Sequence, residues 1–274
     1  MGYRGPGPLG TDYNNPIREP GDFNFGGSSS PWSSGIRQVP LDRDDIIFLV
    51  DYIVAEMNTN AHSPFTKGLA ALNRFPPDDC IEDIGKLPPE MQRVLAVLDL
   101  SGLLARCVGK HLTNRKLALI LWAEKVKDKA DWDHKPIIKR RFPSSISCFN
   151  DEHLYGHHVY NHDIWSNIHY GYVGMAAGFS EWELILGAAV AHVRSRWNNA
   201  ELFEEHLDII LEKLGDNPMT WDDPKDKAAI NVGIRLYQYR PERVTVRDLM
   251  GEVWFSRNSL AIRPYDPRFD RVTY

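Results

Sequence analysis

The sequence predicts a mainly α protein, a single compact helical domain behind a disordered N-terminal leader. Three observations carry that reading. Apolar residues recur at helical spacing from residue 41 onward, strand-like character is confined to one short stretch, and residues 1–40 hold eight Gly and six Pro with no sustained period. At 274 residues and 43% hydrophobic content, the chain can bury one substantial core.

Residues 1–40, with Ser28-Ser29-Ser30 and Ser33-Ser34 among the glycines and prolines, read as a flexible leader. The composition changes at Leu41-Asp42. Ile46, Ile47, Leu49, Val50, Ile53, Val54 and Met57 follow the acidic cluster Asp42, Asp44 and Asp45, which favours a helix N-terminus. Further helices are expected over about 88–107, behind Pro88-Pro89, and about 113–129, where Leu117, Leu119, Ile120, Leu121 and Val126 form a face. Residues 131–162 break the pattern with Pro136, Pro143, serines and Gly156, and read as a loop long enough to suspect function. Helices return at about 164–178, 181–196, 200–214 and 225–239. Ser180-x-x-Glu183 has the form of a capping box, and Asp222-Asp223-Pro224 sets proline at a first helical position. Beyond Pro241, Val244-Thr245-Val246 fits a short strand, while Asp248 to Trp254 is ambiguous. The domain is expected to run over 41–274 as one core, because the later helices need residues 41–112 for burial.

Composition narrows the function. The net charge is −5 and the pI near 6.1, so nucleic acid would have to be held by a local patch rather than by a basic molecule. One such patch is His134-Lys135-Pro136-Ile137-Ile138-Lys139-Arg140-Arg141. No stretch reaches the roughly 18 apolar residues of a spanning helix, and the start lacks the apolar region of a signal peptide. The chain therefore reads as soluble, and as cytoplasmic or exported by a specialised system. Cys80, Cys107 and Cys148 are too few and too scattered for a disulfide framework or a paired-cysteine zinc site, which fits a reducing compartment.

Five of the ten histidines, His153, His157, His158, His162 and His169, fall within seventeen residues, with Asp151, Glu152 and Asp163 among them. His158 and His162 have a spacing that can chelate a metal on a helix, but Gly156 and Asn161 argue against a continuous helix there. For the first three of those histidines a polar surface loop is the plainer account. His169 differs, because it sits where polar and aromatic side chains interrupt an apolar helix. Asp163, Ser166, Asn167 and Tyr170 share one helical face, with His169 at its edge. Such a group suits general acid or base chemistry, and equally a satisfied buried network. Two other segments carry clustered polar groups. Asp222-Asp223-Pro224-Lys225-Asp226 provides caps and dipole partners, an acid/base pair, or ligands for a divalent cation. Asp131-Trp132-Asp133-His134-Lys135 sets acids, a His and a Lys around a Trp.

Taken in order, these segments resemble the bacterial polymorphic toxin type 44 family over roughly residues 113–240. Trp132-Asp133-His134-Lys135 matches its Trp-Asp-x-Lys segment. Asp163 with Asn167-Ile168-His169-Tyr170-Gly171 matches the second. Asp222-Asp223-Pro224-Lys225-Asp226, followed by Ala229-Ile230, Gly233-Ile234 and Tyr237, matches the third. The chain departs from the pattern at His162, where the family often has an acid, and at Ser166, where it often has Gly. The resemblance implies a toxin-like effector with an α-helical fold and a cognate immunity protein as partner.

The leading expectation is a toxin-type effector hydrolase, specifically a ribonuclease. His169 would act as general base or acid and Asp163 would orient it. Asp133, Asp223, Asp226 and Tyr170 would complete the catalytic set, with Lys135, Arg140, Arg141 and Asn167 binding the phosphate substrate. No organic cofactor is expected; a divalent cation on the carboxylates is an open variant. A second reading is a peptidoglycan or other glycan hydrolase with Asp163 paired to Asp223 or Asp226. A third is a non-catalytic helical interaction protein in which the motifs are structural networks.

Overall fold

The computed structural model describes residues 45–74, 87–97, 114–195 and 223–270. The leader, the expected helix at 200–214, Asp222, Cys80 and Cys107 lie outside the described residues. Among those residues there are nine helices and one three-stranded sheet. In chain order they are α1 (Ile47–Ala61), α2 (Pro64–Arg74), α3 (Pro89–Val97), α4 (Asn114–Val126), α5 (His134–Arg141), β1 (Glu152–Tyr155), β2 (His158–Asn161), α6 (Asp163–Ala176), α7 (Glu181–Ser195), α8 (Pro224–Tyr239), α9 (Val246–Phe255) and β3 (Ile262–Pro264). The protein is mostly α, and none of the described helices is long and apolar enough to cross a membrane.

Helix α6 is the hub, touching α1, α2, α5, α7 and α8. Its sequence explains why. Ile164, Trp165, Ile168, Tyr172 and Val173 are buried in the core, and Gly171 lets the backbone of α8 come close. A β-carbon at Gly171 would collide with the carbonyl oxygen of Ile230 on α8. One at Gly233 of α8 would collide with the carbonyl oxygen of Ile168 and lie 2.7 Å from the Tyr172 nitrogen. The α6/α8 crossing is therefore a backbone-to-backbone contact that only glycine permits at these two positions. Leu49, Ile53 and Met57 of α1, each fully buried, belong to the same core.

The loop expected over 131–162 is largely structured. Asp133 caps α5, and residues 152–161 form an antiparallel hairpin pairing Glu152 with Asn161 and Tyr155 with His158. Gly156 turns that hairpin at φ 54°. Strand β3 adds to β2, with Val159 opposite Arg263, whose guanidinium bonds to both Glu152 and Asp270. Breaking residues hid a four-residue strand on either side of the turn, too short to show a period. Val244-Thr245-Val246 is not a strand. Thr245 caps α9 in a reciprocal box with Asp248, so the β-branched residues there mark a helix start. Helix α2 had no sequence expectation, Asp42 and Asp44 lie outside the described residues, and Ile46 holds the N-cap of α1 without a side-chain bond. Asp45 instead accepts from the Ser145 and Leu154 backbone nitrogens at 2.9 and 3.1 Å, tying the chain before α1 to the segment before the hairpin and to β1.

Candidate functional site

Asp163 opens α6 and lies half-buried, its side chain 33% exposed. Two basic side chains converge on its Oδ1. Lys135 Nζ, from the first turn of α5, lies at 3.3 Å, and His162 Nε2 at 3.2 Å. Lys135 is 40% exposed and His162 only 8%. Asp163 Oδ1 is itself covered from solvent with no aligned hydrogen-bond donor, so the two nitrogens hold it by charge and proximity.

His162 is locked from behind. Its Nδ1 lies 3.0 Å from the Asp151 carbonyl oxygen, which can only accept, so Nδ1 carries a proton. Its Nε2 then faces the Asp163 carboxyl. Burial, the largest influence on His162, pushes its pKa below the usual histidine value, while the neighbouring Asp163 pulls it back up. Burial outweighs the carboxylate, so the neutral imidazole is favoured over the charged one.

One helical turn along, Asn167 extends the site. Its Nδ2 donates to Asp226 Oδ1 at 2.9 Å, joining α6 to the first turn of α8. Asn167 and Asp226, from two of the sequence motifs, therefore meet across the α6/α8 contact, and Lys135 of the other motif lies against Asp163, one turn before Asn167.

The remaining expected site residues lie elsewhere or are otherwise engaged. Asp133 accepts from the backbone nitrogens of Lys135 and Lys129 at 3.3 and 2.8 Å and so caps α5. Asp223 caps α8, accepting from the Lys225 nitrogen at 2.8 Å. Tyr170 donates to the Leu184 carbonyl at 3.1 Å and packs on Trp122. Arg140 and Arg141 stand in the last turn of α5, about 9 Å along the axis from Lys135. The Arg141 guanidinium lies over the Tyr52 ring at 5.1 Å.

His169 is buried at 1% exposure, facing away from this surface. Its Nε2 lies 3.0 Å from Asn60 Nδ2 of α1, and its ring centroid is 4.1 Å from that of His134, itself fully buried and 2.8 Å from the Tyr52 hydroxyl through Nδ1. Burial drives both imidazoles toward neutrality, His134 to a pKa of about 4 and His169 well below the ordinary value, with His134 adding to the effect on His169. The two histidines join α1, α5 and α6 beneath the polar surface.

The histidine-rich stretch is spread over the hairpin. His153 is buried and bonds through Nε2 to the Phe142 carbonyl at 2.9 Å, His157 is exposed at the turn, and His158 packs edge-on to Trp254. Among the described residues, no three His, Cys, Asp or Glu side chains are placed to hold a metal ion. In the sequence His162 stands out as a member of that run, as a spacing partner of His158 and as a departure from the family pattern, not as a partner of Asp163. Its telling signal was its place immediately before Asp163 at a helix start.

With Lys135, Asp163, Asn167 and Asp226 gathered at one surface, the sequence comparison acquires a physical counterpart. The chain matches the bacterial toxin 44 family over residues 121–239. The toxin 44 segment begins inside α4 and ends with the last residue of α8, so it contains the whole Asp163 site. It leaves out α1, which supplies Asn60 to His169. No curated protein and no solved structure matches the chain.

Proposed function

We propose that the toxin 44 segment is an effector hydrolase that cleaves RNA, with Asp163 at its centre. The observation that supports this best is one half-exposed carboxylate flanked by Lys135 and by a histidine anchored through its other ring nitrogen. RNA carries its own nucleophile, so cleavage without a cofactor needs a base for the ribose 2′-hydroxyl, an acid for the leaving oxygen and a cation for the phosphate.

Asp163 takes the 2′-hydroxyl proton while that oxygen bonds to phosphorus. The phosphorus bond to the 5′-oxygen breaks, and that oxygen receives a proton from Nε2 of His162, which enters this step in its imidazolium form. Lys135 neutralises the charge gathering on the phosphoryl oxygens. The products are a 2′,3′-cyclic phosphate and a 5′-hydroxyl, and the proton now on Asp163 returns to His162 across 3.2 Å. Asn167 and Asp226 position the start of α6. His169, from its buried place, is a positioning residue that fixes α6 against α1 and α5. A cognate immunity protein is the partner this reading expects.

The test is incubation of the full chain with total RNA and, in parallel, with peptidoglycan, with and without EDTA, beside Asp163→Asn and Lys135→Ala. RNA cleavage that survives EDTA and falls by about a hundredfold or more in Asp163→Asn is the expected result. EDTA sensitivity would make the carboxylates metal ligands. Release of glycan with RNA intact would replace this mechanism by a paired-carboxylate one.

A further inference from the structure

A groove of about 530 Å³ lies between the first half of α8 and the turn that follows α9. That volume is within the range of sites that hold small organic ligands. Its polar lining is Lys225, Lys227, Asn231, Asn258 and Ser259, with no carboxylate. Two ammonium groups, two amides and a hydroxyl make a wall of donors, in a protein whose net charge is −5. Such a wall suits an anion and repels a metal cation.

An exposed aromatic pair, Trp254 and Phe255, stands at the end of α9, four and three residues before Asn258. Asn258 follows Arg257, whose guanidinium carbon lies 4.4 Å from the Trp254 ring centroid. Trp254 is 49% exposed, His158 of β2 stands edge-on to it at 5.4 Å, and Phe255 beside it is exposed. Trp254 is therefore braced from two sides yet keeps open surface. Aromatic rings and cationic grooves are the means by which proteins hold single strands, bases on the rings and backbone on the cations. Asp226, between the two lysines in the sequence, bonds to Asn167, one helical turn from Asp163 on α6.

We infer that the α8/α9 groove and Trp254 form a lane that holds single-stranded RNA beside Asp163, with phosphodiesters on Lys225 and Lys227 and a base stacked on Trp254. This rests on the ribonuclease reading, since it assigns the strand which that site would cut. A glycan would also stack on Trp254, but it has no phosphate to engage the two lysines, so RNA is the occupant the lining favours.

Binding separates the lane from the chemistry. The full chain is titrated with a 2′-O-methyl oligoribonucleotide, which lacks the attacking hydroxyl, using fluorescence anisotropy over a range of salt. The variants are Lys225→Gln with Lys227→Gln, Trp254→Ala and Trp254→Phe. Cleavage of the unmodified strand is measured on the same preparations. Loss of the two lysines is expected to reduce the slope of log affinity against log salt by about 1.4, about 0.7 for each phosphate contact on a single strand. Trp254→Ala is expected to weaken binding about fivefold or more, with Trp254→Phe restoring most of it. Binding unchanged in all three variants, or no binding by the unaltered chain, overturns the lane whatever the cleavage result. Weakened binding by the variants of a chain that binds but never cuts keeps the lane and sinks the nuclease reading. Binding of a neutral oligosaccharide in preference to RNA overturns the lane in favour of glycan.

Discussion

At the residue scale, the histidines of the motifs divide into two kinds. His162 sits beside Asp163, its Nε2 3.2 Å from the carboxyl oxygen, whereas His134 and His169 are packed against each other in the interior. The spacing of Asp163 and Asn167 on one face was legible, because a turn of helix sets residues four apart side by side. The inward direction of His169 was not, because sequence periodicity places a residue at the edge of a face without saying which neighbour closes over it. Here the neighbours are Asn60, over a hundred residues earlier, and His134. This burial has a pH consequence. Unfolded, His134 titrates near 6.5; folded, near 4. The unfolded chain therefore binds more protons between those values, so the stability is whole above about pH 6.5 and is lost as pH falls toward 4. The groups around the imidazole are Tyr52 at its Nδ1, His169 at its face, Arg141 over Tyr52, and Glu56, which bonds to Asn60; Glu56 is the carboxylate among them, and its bond reaches His169 rather than His134. The loss from His134 is on the order of 3 kcal/mol. Urea unfolding at pH 7.5, 5.5 and 4.5 should show it, and His134→Gln should flatten the pH dependence; an equally steep acid loss in that variant would contradict the assignment.

At the element scale, the contact of α6 with α8 organises the site. Gly171 and Gly233 belong to the second and third sequence motifs, and the structure explains their presence there by steric need at the crossing. Gly233→Ala would push α8 off α6. The cost is expected near 3 kcal/mol, because the colliding atoms are backbone and cannot rotate aside. It should also part Asn167 from Asp226, so activity should fall beyond what the loss of folded protein explains. Thermal melts beside activity per folded molecule would check this, and an alanine variant with the melting temperature of the parent would refute the close crossing. Helix positions were the readable part of the fold: α6, α7 and α8 fall close to the expected spans, with the Ser180–Glu183 box and the Asp223-Pro224 start both in place. The sheet was unreadable because its strands are three or four residues long and its third strand comes from a hundred residues downstream of the hairpin.

At the scale of the whole molecule, the family segment is smaller than the core that supports it. Residues 121–239 omit α1, α2 and α9, yet Leu49, Ile53, Met57, Phe65, Leu69 and Leu249 are fully buried in the same cluster as Trp165 and Tyr172. A fragment of residues 121–239 should therefore expose much of α6 and fail to unfold cooperatively, while the full chain should melt in one transition. A sharp melt from the fragment alone would show that the segment folds without its flanks. The acidic net charge fits this picture, because the donor-lined surfaces are local and sit on particular elements, Lys135 on α5 and the two lysines on α8.

The central claim is that Asp163 performs RNA chemistry. It is tested most directly by giving a defined oligoribonucleotide and its 2′-O-methyl counterpart to the parent chain and to Asp163→Asn, once matched melting temperatures show that both are folded. The parent should cut only the unmodified strand and leave a 2′,3′-cyclic phosphate, and Asp163→Asn should cut neither. Cleavage by folded Asp163→Asn at the parent's rate, or cleavage of the methylated strand, would contradict it.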